Sequence, residues 1–140
     1  MKVLVDTNII LDFLLERELF LQEAKLLFQA INSSQIKGYV TATTLTDIFY
    51  IARRHTQSLE RARQSVVFIL SSLEVCPIDR TVLELALTST TPDFEDALQV
   101  SCALAQGLDA IVTRDAKFPA NSIQVLSIHE LMQKLEDARD

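Results

Sequence analysis

The chain opens with KVLVDTNIILDFLL at residues 2–15, and this segment decides the class of fold. Its first four residues are apolar or β-branched apart from Lys2, which is typical of a short buried strand. Asp6 ends this run, and the DTN sequence that it begins can cap a helix over residues 9–16. The segment therefore predicts a strand that leads directly into a helix.

The same succession of strand and helix continues to the end of the chain. Further strands are predicted at residues 36–42, 75–78, 110–113 and 123–126, and further helices at residues 20–31, 44–55, 58–73, 79–88, 92–107 and 127–136. Thr44 and Asp47 resemble a capping box for one of these helices, and Pro92 suits the first position of another. Strands separated by helices predict an α/β domain with a mainly parallel sheet.

Composition limits the class of protein. A chain of 140 residues is expected to form one domain over residues 1–140, and 49% hydrophobic residues suit a sheet buried on both faces. No apolar stretch approaches a membrane span, and Asp6 interrupts the opening before a signal-peptide core could form. With Cys76 and Cys102 far apart and outside any CxxC pattern, we expect a cytoplasmic protein with two reduced thiols.

The formal net charge of −6 argues against a nucleic-acid partner, because phosphate binding usually depends on clustered Lys and Arg. This objection weakens if several of the acids bind divalent cations, which reverse the local field. The only two glycines, Gly38 and Gly107, exclude both a dinucleotide-binding fingerprint and a glycine-rich phosphate loop.

Acidic residues gather at one predicted edge of the sheet. In open parallel sheets, ligands bind outside the carboxyl ends of the strands. Asp6 ends the first strand, Asp115 follows the strand that ends at Thr113, and Asp47 is in the first turn of the helix after the second strand. The helix that contains Asp96 runs antiparallel to the following strand, so its start returns to the same edge.

Each of these acids has an alternative role as a helix cap. Asp6 can cap the helix that follows it, and Asp47 can complete a capping box with Thr44. Asp93 and Asp96 can interact favourably with the dipole at the start of their helix. Asp93 and Asp96 are three residues apart and share a helix face, whereas Glu95 is expected to point elsewhere. Several carboxylates on one edge repel each other and favour a bound cation, and oxygen ligands select Mg²⁺ or Mn²⁺ over zinc. The sequence therefore predicts a metal site at this edge, with Asp93 as a further ligand.

Three segments carry a family resemblance: VDTNI at residues 5–9, DFEDALQVSCAL at residues 93–104 and IVTRD at residues 111–115. In this order and spacing they resemble the PIN-domain family, which includes toxin ribonucleases of the VapC type. The resemblance implies a three-layer α/β/α fold and a metal-dependent endoribonuclease that hydrolyses single-stranded RNA. For toxin members it also implies a homodimer and a small antitoxin protein.

The resemblance assigns roles to individual residues. Asp6, Asp96 and Asp115 are expected to bind one or two Mg²⁺ or Mn²⁺ ions, while Asn8 and Thr113 hold water, phosphate or a carboxylate. A fourth acid, usually Glu, is expected where this chain has Asp47. Asp47 is one methylene shorter, so its role as a catalytic ligand or as a helix cap stays open.

Two further predictions come from the residues themselves. Arg114, between Thr113 and Asp115, is the best candidate for a substrate contact. Self-association through the first two helices is expected because more apolar residues lie there than one buried stripe can use, namely Ile9, Leu11, Phe13, Leu14, Leu15, Leu19 and Phe20.

Two other functions compete with the nuclease. A phosphotransferase of the haloacid-dehalogenase type needs a second Asp two positions after the first, where this chain has Asn8. A PIN-fold module that binds a partner with weak or no catalysis is the stronger alternative, because Asp47 departs from the family pattern.

Overall fold

A computed structural model describes residues 1–119 and 122–139 of the chain. The strands in this part are β1 (Lys2–Val5), β2 (Lys37–Thr41), β3 (Glu74–Cys76), β4 (Ala110–Val112) and β5 (Gln124–Leu126). The helices are α1 (Thr7–Leu14), α2 (Leu21–Asn32), α3 (Ala42–Thr56), α4 (Leu59–Ser72), α5 (Arg80–Thr88), α6 (Phe94–Ala105) and α7 (Ile128–Asp137).

The strands form one sheet in the order β3-β2-β1-β4-β5, and each neighbouring pair is parallel. β1 is central, with Leu4 opposite Tyr39 of β2 on one side and Ile111 of β4 on the other. The chain therefore winds outward from β1 in both directions, which confirms the predicted α/β class. It also brings the carboxyl ends of β1 and β4 side by side.

Both faces of the sheet are covered by helices. Val3 and Val5 of β1 pack into a core that includes Leu27 of α2 and Ile48 of α3, whereas Leu4 packs on the opposite face. That second core is closed by α5 and α6. Side chains alternate across a strand, so a strand with no polar residue at these three positions needs apolar cover on both sides. The three-layer α/β/α arrangement is confirmed.

The apolar residues of α1 and the loop after it are mostly absorbed by this core. Ile9 and Leu11 are buried, and Phe13, Leu14 and Leu15 pack against the same core, while Leu19 alone of the predicted set is strongly exposed. The premise for self-association through these helices was therefore wrong, because α1 is covered by both α2 and α3. In the part of the chain described, no helix is long and apolar enough to cross a membrane.

Two helix starts differ from the sequence prediction. α3 begins at Ala42, where Thr41 is the N-cap and its hydroxyl accepts a hydrogen bond from the amide of Thr44. The predicted capping box of Thr44 and Asp47 is therefore wrong, since Thr44 is already in the first turn. α6 begins at Phe94 with Asp93 as its N-cap, so Pro92 precedes the helix. In α3 the hydroxyl of Thr41, before the predicted start, accepts a hydrogen bond from a free backbone amide of the first turn. In α6 the carboxylate of Asp93, after the predicted start, does the same.

We expect Thr41→Ala to lower the free energy of unfolding by about 1–2 kcal/mol, because the variant loses the cap of α3. The Thr41 hydroxyl also lies 3.0 Å from the hydroxyls of Thr43 and Thr44, which would lose a partner. Urea unfolding of this variant beside Thr46→Ala, an exposed threonine of the same helix, measures the effect. Equal midpoints for the two variants would contradict the assignment of the cap.

Candidate active site

Four predicted acids do lie around the carboxyl edge of β1 and β4. Asp6 directly follows β1, and its amide bonds to the carbonyl of Val112 at the end of β4 (3.0 Å). Asp115 lies three residues beyond the end of β4, and Asp96 is in the first turn of α6. Asp47 approaches from α3, which begins directly after β2. The parallel order of β2, β1 and β4 is what brings the four segments together.

Asp6 is the most firmly held of these acids. Its Oδ1 accepts hydrogen bonds from the amide of Thr7 (2.8 Å) and from Nε2 of Gln99 (3.0 Å). Its Oδ2 accepts one from the hydroxyl of Thr113 (2.7 Å). The donors come from α1, α6 and the end of β4, so the orientation of this carboxylate is fixed from three sides.

Thr113 connects Asp6 to Asp115. While its hydroxyl donates to Asp6, the same oxygen accepts a hydrogen bond from the amide of Asp115 (3.1 Å). The carboxylate of Asp115 accepts a bond from the amide of Lys117 (2.9 Å), which curls the loop after β4. Thr113 is buried and Asp115 is exposed, so the loop presents the acid at the surface of the site. The predicted positioning role of Thr113 agrees with these contacts.

The electrostatics of Asp96 show that the acids act on one another. Burial, together with the charges of Asp93, Asp6 and Asp115, raises the pKa of the Asp96 carboxyl to about 6. A carboxyl whose pKa rises for these reasons lies in a region of excess negative charge. Asp96 therefore lies close enough to Asp6 and Asp115 for their charges to act on it, and its role as a metal ligand stays a prediction.

Glu95 also belongs to this site, although the sequence predicted that it points elsewhere. Burial, together with the proximity of Asp47 and the charges of Asp47, Asp6 and Asp93, raises the pKa of Glu95 to about 7. The sequence argument compared faces within one helix and could not include α3, whose Asp47 acts on Glu95 in the first turn of α6. Asp47 therefore takes part in a carboxyl pair and does not cap α3.

These shifts give a prediction for the metal-free protein. Because the folded-state pKa values of Glu95 and Asp96 are raised, the folded chain binds protons more tightly than the unfolded chain. Their contribution to stability is therefore fully present at about pH 4 and is lost as the pH rises through about 6 to 7. Denaturant unfolding with EDTA at pH 4.5–8 should show a smaller decline for Glu95→Gln than for the parent protein. The same decline in both proteins would contradict the coupling.

Asp93 and Asn8 have local partners. Oδ1 of Asp93 accepts a hydrogen bond from the amide of Asp96 (3.0 Å), as an N-cap does. Its role as a metal ligand stays a prediction. Asn8 is exposed, and its Oδ1 lies 3.4 Å from a guanidinium nitrogen of Arg17. Its contact with water or phosphate stays a prediction.

Arg114 is held by an acid that the sequence did not single out. Asp12 of α1 is 1% exposed and accepts bonds from Nε (2.8 Å) and Nη2 (3.2 Å) of Arg114 and from Nη1 of Arg17 (3.2 Å). The Arg114 guanidinium also lies 3.9 Å from the ring centre of Phe20. Arg114 thus fixes the loop that carries Asp115 onto α1. A contact with substrate stays a prediction for the part of its side chain that remains exposed.

The donor chemistry of the edge fits a hard divalent cation. Asp6, Asp96 and Asp115 supply carboxylate oxygens, which Mg²⁺ and Mn²⁺ prefer. The raised pKa of Asp96 indicates negative charge that a cation would balance. Among residues 1–119 and 122–139, no group of three or more acidic, histidine or cysteine side chains is placed so that it could hold a metal ion by itself.

Comparison with known proteins supports a family assignment. The sequence profile of the PIN domain matches residues 2–117. Ribonuclease VapC1 of Aquifex aeolicus is 22% identical over 138 residues, which cover 95% of this chain and 94% of the relative.

Solved structures share the fold over nearly the whole chain. VapC20 of Mycobacterium tuberculosis, described as a Sarcin-Ricin loop cleaving toxin, superposes with a TM-score of 0.69 at 16% identity and covers 86% of this chain and 95% of its own. A toxin-antitoxin complex from Klebsiella pneumoniae gives a TM-score of 0.68 at 23% identity, with coverage of 91% and 98%. At these identities the structural match concerns the fold alone.

Proposed function

The chain belongs to the PIN-domain family, and from that membership we propose that it is an endoribonuclease of the VapC toxin type that depends on Mg²⁺ or Mn²⁺. The proposed reaction is hydrolysis of phosphodiester bonds in single-stranded RNA. The observation that supports it most is the set of carboxyls at one edge, where Asp6 and Asp115 both raise the pKa of Asp96. The name of the Aquifex relative supports the choice of RNA.

Each residue has a defined part in this proposal. Asp6, Asp96 and Asp115 bind the ion, and Thr113 keeps Asp6 and Asp115 in register through its one hydroxyl group. The bound ion would supply a more acidic water and electrostatic stabilisation of the phosphodiester group. Asp47 and Glu95 lie beside this set, where the charge of Asp47 helps to raise the pKa of Glu95, and they complete its acidic rim.

The negative charge of the chain is compatible with an RNA substrate only if cations are bound. The net charge is −6, and Arg17 and Arg114, both near this edge, are engaged by Asp12. Phosphate binding would therefore depend on the metal ion more than on basic side chains. RNA binding should then weaken strongly when EDTA is added.

The decisive experiment is a cleavage assay with purified protein and a panel of end-labelled single-stranded RNAs, each run with EDTA, Mg²⁺ or Mn²⁺. Cleavage only with the metal ions, and none of matched DNA, is the expected result. Tight RNA binding without cleavage under every metal condition would replace the nuclease with a PIN-fold binding module. If the protein neither binds nor cleaves any of the RNAs, both the nuclease and the binding module are contradicted.

The finer parts of the proposal concern partners and location. Two of the similar structures are VapBC complexes, from Rickettsia felis and Salmonella typhimurium, which supports an antitoxin partner here. A groove of about 550 Å³ between α2 and α4, lined by Phe13, Phe28 and Phe68, offers an apolar surface for such a partner. A small protein encoded beside the gene that co-purifies and suppresses cleavage would support this part. The absence of such a neighbour would favour general RNA processing.

A homodimer in the cytoplasm is also proposed. Exposed leucines on α5 and α6, including Leu85, Leu87 and Leu104, provide apolar surface for self-association. Cys76 and Cys102 are free and buried, which agrees with a reducing compartment. Sedimentation at micromolar concentration tests the dimer, and a sharply monomeric mass would contradict it.

A further inference from the structure

We propose that Gln99 is a positioning residue of this site, which holds the Asp6 carboxylate in the orientation that binds the metal ion. The inference rests on the proposed metal-dependent function. It begins from a direct contact: Nε2 of Gln99 donates a 3.0 Å hydrogen bond to Oδ1 of Asp6, across 93 residues of chain. The Gln99 amide must face Asp6 with its NH₂ group, since an ionised carboxylate only accepts hydrogen bonds.

The surroundings of Gln99 are those of a core residue. It is 2% exposed on α6, and Leu98, Cys102 and Ala103 beside it are buried in the core on the α5 and α6 side of the sheet. An aliphatic side chain at this position would pack without any unpaired polar atom. The presence of an amide therefore needs a reason other than packing.

The carbonyl oxygen of the same side-chain amide strengthens this argument. Within the described residues, Oε1 of Gln99 is buried and has no hydrogen-bond donor. A buried oxygen without a donor is unfavourable, so the residue is costly to the fold as it stands. The benefit of Gln99 then lies in its NH₂ group, which among the described residues donates a hydrogen bond to Asp6 alone.

The contact completes a chain of bonds through the site. Gln99 and Thr7 hold Oδ1 of Asp6, and Thr113 holds Oδ2 while also accepting from the amide of Asp115. With three donors on its two oxygens, Asp6 can turn only if one of them is lost. Its remaining acceptor direction is then fixed relative to Asp115, which is what binding of one ion by both acids needs.

The test is Gln99→Met, which keeps an unbranched side chain of similar size and removes both the donor and the unpaired oxygen. We expect Mn²⁺ affinity, measured by calorimetry without RNA, to fall roughly 10–100-fold, as for other residues that orient metal ligands. Melting temperature in EDTA should stay level or rise, because an unpaired buried oxygen is removed. At saturating Mn²⁺, kcat and the KM for RNA should return towards the parental values.

Two controls keep the outcomes distinct. Gln106→Met, at the exposed end of α6, should leave Mn²⁺ affinity unchanged, and Thr113→Val should reproduce the loss from the other side of Asp6. A lower melting temperature with parental Mn²⁺ affinity would make Gln99 a purely structural residue and overturn the inference. Failure of the parent protein itself to bind Mn²⁺ would overturn the proposed function instead. If Gln99→Met does not fold, Gln99→Asn, which draws the amide back by one methylene, gives the same comparison of Mn²⁺ affinity.

Discussion

Asp96→Asn is expected to reduce metal-dependent RNA cleavage by about a thousandfold or more, while the fold is kept. The substitution removes one negative charge at nearly constant volume from the edge where Asp6 and Asp115 also lie. A loss of this size corresponds to about 4 kcal/mol, within the several kcal/mol of transition-state stabilisation that a metal ion supplies. Single-turnover rates with Mn²⁺ in excess over the enzyme measure it.

The same variant should be more stable than the parent in the absence of metal. Burial and three neighbouring charges raise the pKa of Asp96 to about 6, so its ionised form is unfavourable in the folded protein at neutral pH. Asparagine relieves this cost, and the melting temperature in EDTA at pH 8 should rise. A falling activity with a falling melting temperature would indicate misfolding and leave the metal assignment without support.

Asp109→Asn provides the matched control. Asp109 lies just before β4, at the opposite end of the sheet, where its carboxylate accepts a 2.7 Å bond from the amide of Lys2. Asp109→Asn changes the net charge by the same amount as Asp96→Asn, and the asparagine oxygen can still accept the hydrogen bond from the amide of Lys2. Parental cleavage in this variant would show that the effect of Asp96→Asn depends on position, and an equal loss in both would contradict the proposed site.

The fold could be predicted because its signals are local. The mainly apolar run at residues 2–5 ends at an acid. The Asp79 carboxylate accepts a hydrogen bond from the amide of Val82 at the start of α5, and Ser127 with Glu130 forms the capping box of α7. Each of these depends on residues within about one helical turn, which is the range that a sequence pattern describes.

The parts of the site that were missed depend on contacts between distant segments. Glu95 meets Asp47 of another helix, and Gln99 meets Asp6 from 93 residues away. A sequence shows that Gln99 is polar among apolar neighbours on α6, and that signal could have marked it for attention. The partner could not be named, because hydrogen bonding between α6 and the end of β1 depends on how the helix is rotated against the sheet.

Arg114→Met is expected to lower the free energy of unfolding by about 3 kcal/mol, near the low end for breaking a buried ion pair. The low end applies because the Arg114 side chain is 36% exposed, whereas that of Asp12 is 2% exposed. Methionine leaves Oδ2 of Asp12 without its donor and removes the guanidinium from the face of Phe20. Urea unfolding measures the loss, with Lys117→Met in the same loop as the control.

A double-mutant cycle separates this role from a contact with RNA. If Asp12 and Arg114 stabilise each other, Asp12→Asn and Arg114→Met should cost less together than the sum of the two separate losses. In Arg114→Met, RNA cleavage should then decrease because Mn²⁺ binds more weakly, since the loop that carries Asp115 is no longer held on α1. If Arg114→Met instead keeps parental stability and raises only the KM for RNA, Arg114 binds substrate and the ion pair with Asp12 contributes little to the fold.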